Sequence, residues 1–227
     1  MSIPSRHRTR PLGLSVLELM VGLAVGLVVT ALGVSAMARQ ATASRRVLLE
    51  ARVTQDLRAA ADLLARHVRR AGHWSGAARG VWRPGAARPA TNPHTFSPEA
   101  PDLLRFTYSS PAGGPGEGVA TNDHFGFRLR QGILDIELGD GHWQPLTDPG
   151  VLRVTRLQLI PHHHERMLPA PCAQPCPAAA GLCPPRVQVR GVDVLIDAEA
   201  TTDASLHRQA SAHVRPRNDV LVGQCLP

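Results

Sequence analysis

Hydrophobic residues are distributed along the chain in two distinct ways. From Leu14 to Ala38 the sequence is apolar almost throughout, and its one ionisable residue is Glu18. As a helix rising ~1.5 Å per residue, this stretch is roughly 37 Å long, enough to cross a ~30 Å hydrocarbon layer. A carboxylate in lipid is costly unless it is partnered, which makes Glu18 a candidate functional residue. Beyond Ala38 the pattern becomes periodic. Leu57, Ala61, Leu64, Val68 and Ala71 recur at alternating spacings of four and three residues, the signature of one apolar helix face. Gly72 supplies a stop signal. The pattern therefore predicts one helix from Leu14 to Ala71, about 87 Å long.

After Gly72 the period changes to two. Leu103–Tyr108 reads as a strand, and Phe125–Arg130 and Ile133–Leu138 alternate around Gln131-Gly132, a hairpin signal. Val151–Ile160 and Arg186–Ala198 are the strongest later strands, and a polar stretch then leads into His207–Asn218. Residues 76–101 and 109–122 read as loops from their Ala, Arg, Pro, Gly and Ser content. The second of these lacks the GK[ST] ending of a phosphate-binding loop. Asp135, Glu137 and Asp140 fall on the polar phase of the hairpin and are expected to face solvent. Pro216 is compatible only with an edge strand or a strand end. The predicted class is α+β, a long helix with an antiparallel β-rich head.

Composition adds a few constraints. All 25 basic residues are Arg, and Arg6, Arg8 and Arg10 in the first thirteen residues contribute +3 to the formal net charge of +7. The basic balance is not joined by a basic helix with interleaved aromatics, so nucleic acid is not the expected partner. Cys172, Cys176, Cys183 and Cys225 all follow the apolar segment and can pair in an oxidising compartment. Two arrangements would staple the loop to the C-terminal region: Cys172–Cys183 or Cys176–Cys183, with Cys225 taking the remaining partner. His162-His163-His164 stand nearby, but successive residues of an extended chain point to opposite sides, so one ion could not easily take all three. The C-x3-C-x6-C spacing also lacks the knuckle of structural zinc sites. No metal, no cofactor and no enzymatic activity are expected, since no G-x-S-x-G, H-E-x-x-H or comparable constellation is present.

The start of the chain carries a resemblance. MSIPSRHRTRPLG is short and basic, ends in Gly13, and is followed at once by an apolar helix with Glu18 at its fifth position. This order resembles the class III signal of type IV prepilins and type II secretion pseudopilins. The resemblance implies cleavage between Gly13 and Leu14 by prepilin peptidase and methylation of the new Leu14 amine. It also implies pairing of Glu18 with the amino terminus of a neighbouring subunit. Leu14 departs from the family's usual Phe, and Ser35 stands where many major pilins carry a kinking Pro, implying a straighter helix. A second stretch, LLARHVRRAGHWSG, resembles the L-x-x-D-I-R-x-A-G-Y-W-G segment of PilW-type minor pilins through Arg69, Ala71, Gly72 and Trp74. His67 and His73 replace the Asp and Tyr. WQPLTDPGVLRVTRLQL resembles the late strands of PilW-type minor pilins and J-type pseudopilins, and Val214–Asn218 resembles the family's terminal R-x-R-N strand.

These resemblances imply a pilin-like lollipop with four parts. Residues 1–13 would be the leader, 14–38 the transmembrane and filament-core half of the helix, and 39–72 its amphipathic half. Residues 73–227 would form a periplasmic head, with Trp74 and Trp82 capping the core. The implied function is a minor pilin that initiates or assembles a type IV pilus, held in the inner membrane before assembly and in the pilus or its tip afterwards. Its partners would be other pilins through the N-terminal helix, prepilin peptidase and a tip adhesin. One alternative is a J-type pseudopilin of type II secretion. Another, from a different class, is a membrane-anchored or secreted binding protein whose head takes a metal or DNA. Ala36-Met37-Ala38 also fits an ordinary secretory cleavage site after Ala38.

Overall fold

In the computed structural model, the structure describes residues 13, 15–80, 90–111, 118–167, 172, 174–177, 183–223 and 225. Residues 1–12, Leu14 and Trp82 lie outside the described residues, so all of the expected leader but Gly13, and the Leu14 side of the expected cleavage bond, do as well. The first helix, α1, covers Val16–Arg70. It continues as helix through Ser35, whose hydroxyl donates to the Leu32 carbonyl at 2.8 Å. The chain divides into two compact units at Leu48/Leu49.

In the first unit the apolar side chains from Val16 to Met37 are exposed. Among the described residues, α1 is the one helix long and apolar enough to cross a membrane. In the second unit α1 buries Val53, Leu57, Ala60, Ala61, Leu64, Ala65 and Val68. The 4-3 stripe read from the sequence is thus a core face, and burying Leu57 or Leu64 contributes roughly 2–3 kcal/mol each. The helix stops because Gly72 adopts φ +74°, a left-handed conformation that favours glycine.

Among the described residues, nine strands build two antiparallel sheets. The first sheet has the order β1 (Phe96–Ala100), β2 (Leu103–Thr107), β3 (His124–Arg130), β4 (Ile133–Leu138), β5 (Trp143–Pro145). The second has β6 (Leu152–Met167), β7 (Arg186–Ala200) and β8 (Asp203–Val214) in order, and β9 (Val220–Val222) also pairs with β7. Inward-facing Leu104, Phe106, Phe127 and Leu134 of the first sheet share one core with Leu152, Val154, Val192, Ile196 and Val214 of the second and with the α1 stripe. The sheets meet along β6, where the Val154 N–H donates to the Gly132 carbonyl at 2.8 Å and the Leu159 N–H to Pro101 at 2.9 Å.

Three expectations are corrected. Residues 76–101 are not all irregular, because Phe96–Ala100 pairs with β2 from Phe96↔Phe106 onward, and a short 3-10 turn covers Ala77–Gly80. The strand beginning near Val151 does not stop at Ile160. It runs through His162-His163-His164 to Met167, because β7 offers a continuous partner from His162↔Gly191 to Met167↔Arg186. A bulge between Val154 and Arg156 keeps its inward phase by switching it from Leu152 and Val154 to Leu157 and Leu159. Finally, the R-x-R-N segment lies beyond β8, which ends at Val214, and does not form a terminal strand.

Candidate functional site

Two regions carry the functional candidates. The first is the apolar start of α1. Glu18 lies in the first turn with its side chain exposed, and its backbone N–H is capped by the Ser15 hydroxyl at 3.2 Å. The surrounding Val16, Leu17, Leu19, Met20 and Val21 are 55–78% exposed. A surface so continuously apolar requires lipid or other helices around it in the functional state. Gly13 is described and exposed.

The second region is the end of α1, where the helix meets both sheets. Its last carbonyls need partners, and side chains and backbone groups from distant segments supply them. The Arg217 N–H donates to the Arg69 carbonyl at 3.0 Å and the Asn218 amide to Ala71 at 3.2 Å. The Gly72 N–H donates to Thr107 in β2 at 2.9 Å, and the Asn92 amide donates to the Gly72 carbonyl at 2.8 Å. Asn218 therefore does its work as a cap and not as a strand residue. Pro216 is buried beside it, just past the strand end, where its missing N–H costs no ladder bond. Trp74 is also buried, with the Arg79 guanidinium 5.5 Å from its ring centroid.

An aromatic column fills the space beneath this junction. Tyr108 stacks on Phe125 with ring centroids 3.9 Å apart, Arg70 lies 4.4 Å over Tyr108, and the Tyr108 hydroxyl is 3.3 Å from His67 Nδ1. Burial pushes His67 below its ordinary pKa, and Arg70 and Arg66 push the same way. Burial likewise raises Tyr108. His94 is buried with Nε2 2.9 Å from the Ser109 hydroxyl, and burial lowers its pKa despite the neighbouring Asp123.

The hairpin carboxylates differ from expectation. Asp135 is wholly buried and Glu137 nearly so, because they are covered by other side chains on the outer sheet face. Asp135 Oδ2 accepts from Arg128 Nε at 3.1 Å and Arg130 Nε at 2.8 Å. Glu137 faces Arg105 at 3.7 Å. Trp143 lies across Gly126, with Arg128 4.1 Å and Arg105 5.9 Å from its ring centroid. Alternation alone marks such residues as polar-face residues, and it does not tell whether that face is covered. Asp140 is exposed, as expected, and borders an open polar groove of about 450 Å³ together with Thr95, Thr107, His124 and Glu137.

The four cysteines form two disulfides, Cys172–Cys225 and Cys176–Cys183. The first ties the segment between β6 and β7 to the chain beyond β9. With all four sulfurs bonded, none is available as a metal thiolate. Along β6, His162 and His164 share one face, their ring centroids 6.4 Å apart, while His163 takes the other.

A single helix whose apolar first half is fully exposed, followed by a stripe packed on antiparallel sheets, defines a pilin-like α+β protein. Over residues 46–216 the chain matches a known family, and it belongs to that family, prepilin peptidase-dependent protein B. No curated protein and no solved structure gives a significant match.

Proposed function

We propose that the protein is a minor pilin of the PilW kind that initiates or assembles a type IV pilus. The observation that carries this reading is the exposed apolar helix with Glu18 in its first turn, in a chain whose family is named for dependence on prepilin peptidase. In this reading residues 1–13 are removed, Leu14 becomes the methylated first residue, and Glu18 pairs with the amine of a neighbouring subunit as the helix leaves the membrane. Side-chain packing of residues 14–38 against other pilin helices drives assembly. Residues 39–72 join this segment to the head, 73–227, which faces the periplasm before assembly and lies in the pilus or at its tip afterwards. The role is structural and uses no catalytic residue.

The test is the intact mass and N-terminal peptide of the protein from its native membrane fraction. A chain starting at Leu14 with one added methyl group is expected. A start at Arg39 would make the protein secreted and overturn the filament reading. Glu18→Ala should then be processed but fail to support piliation. If it impairs type II secretion and leaves piliation intact, the protein is a J-type pseudopilin.

A further inference from the structure

On the outer face of the second sheet, three side chains from three adjacent strands converge. His162 of β6, Asp193 of β7 and His213 of β8 each place a nitrogen or oxygen within 4.8 Å of the other two. His213 Nδ1 is 2.6 Å from Asp193 Oδ1, and His162 Nδ1 is 3.7 Å from Asp193 Oδ2. The two imidazoles lie face to face, with centroids 4.9 Å apart and planes 13° from parallel. Gly191 makes this possible. A Cβ there would sit 2.1 Å from His162 Nε2, so any other residue would push the ring away.

The cluster differs from its neighbours on the same face. Asp197 is met by Arg156 at 2.7 Å and Glu199 by Arg153 at 2.9 Å, ordinary exposed carboxylate–guanidinium pairs. Asp193 is met by an imidazole on each side. His162 Nδ1 is buried and has no hydrogen-bond partner among the described residues.

We propose that His162, Asp193 and His213 bind one divalent transition-metal ion of the zinc class. Two imidazole nitrogens and one carboxylate oxygen suit such an ion at ~2.0–2.1 Å, with a fourth position left for water. Calcium and magnesium prefer all-oxygen shells and are not favoured. Ligand atoms of a tetrahedral site stand roughly 3.3 Å apart. Imidazole lone pairs lie in the ring plane, so the two stacked rings do not yet converge on one point, and binding requires the 69%-exposed His213 ring to swing out of the stack about its side-chain bonds. The ion would clamp β6 to β8 across β7. The cysteines, His163 and His164 play no part in it.

The full-length protein in detergent, freed of metal by chelator, is titrated with zinc alone by calorimetry, and cobalt is then added as a spectroscopic substitute. One ion per chain and a tetrahedral cobalt spectrum are expected. His162→Ala and His213→Ala should each weaken zinc by more than about tenfold. His163→Ala, on the opposite strand face, should leave it unchanged. Gly191→Ala keeps all three ligands but displaces the His162 ring, and it should also weaken zinc. Circular dichroism confirms that each variant is folded. Absence of zinc binding to the folded wild type would overturn the site, and so would equal loss in His163→Ala, which would mark adventitious binding by the histidine run.

Discussion

The Arg128 guanidinium lies 4.1 Å from the centroid of the Trp143 ring and at the same time donates to buried Asp135. One side chain thereby joins β3 to both β4 and β5 on the face of the sheet turned away from α1. Trp143 reaches this position only because Gly126 leaves space beneath it. An added Cβ would meet the Leu104 carbonyl oxygen at 2.8 Å and the Trp143 ring at 3.1 Å.

Gly126→Ala should therefore lift Trp143 from the sheet and cost about 1–3 kcal/mol, the range for inserting an atom into a packed site. The measurement is urea unfolding followed by tryptophan emission, with a red-shifted folded baseline expected. An unchanged baseline and midpoint would show that the close approach has slack.

Asp135 neutralises two guanidiniums while fully buried itself. Asp135→Ala removes the acceptor of both part-exposed guanidiniums and should cost about 1–3 kcal/mol, the usual worth of charged hydrogen bonds. Asp135→Asn keeps one acceptor and the side-chain volume, so its loss should be smaller. Equal unfolding midpoints for the two variants would argue that packing, and not charge, governs the position.

The helix cap predicts a separate, local effect. Asn218→Ala removes the donor to Ala71 and should cost about 1 kcal/mol, the usual net worth of such a bond. Hydrogen exchange at the last turn of α1 should accelerate, while exchange at Leu57 stays slow. Uniform acceleration along the buried half of α1 would contradict a purely local cap.

Stability should fall on mild acidification. His67 and His94 both have pKa values below 6.5 in the folded chain, chiefly through burial. Below about pH 6.5 the unfolded chain takes up protons that the folded one resists, so ΔG of unfolding falls until the folded pKa values are passed. Metal-free protein should unfold at lower urea at pH 5.5 than at pH 7.5. His67→Gln should flatten part of that dependence. A midpoint independent of pH across this range would refute the assignment.

How far the sequence revealed these features depends on the kind of signal. The α1 stripe and its stop at Gly72 were legible because helical period and glycine act locally. Gln131-Gly132 was legible for the same reason, and both residues do adopt positive φ in the turn. β1 was hidden by its composition, FSPEA, since its strand character comes from pairing with β2. The extension of β6 through three histidines likewise came from β7 and not from its own residues. Asp135 and Glu137 read as solvent-facing because period two separates faces without saying what covers them. His162, Asp193 and His213 lie on three strands, and only the register brings them together.

The cap of α1 also has a consequence for the order of biogenesis. The carbonyl of Ala71 and the amide that satisfies it are separated by 147 residues. A chain emerging from its amino end can form the apolar start of α1 at once, yet the other end of the same helix lacks its cap until Asn218 has been synthesised. Throughout that interval the carbonyls of Arg69 and Ala71 have only water as a partner in place of Arg217 and Asn218. Docking of Arg217-Asn218 thus marks completion, and it separates a finished chain from a nascent one.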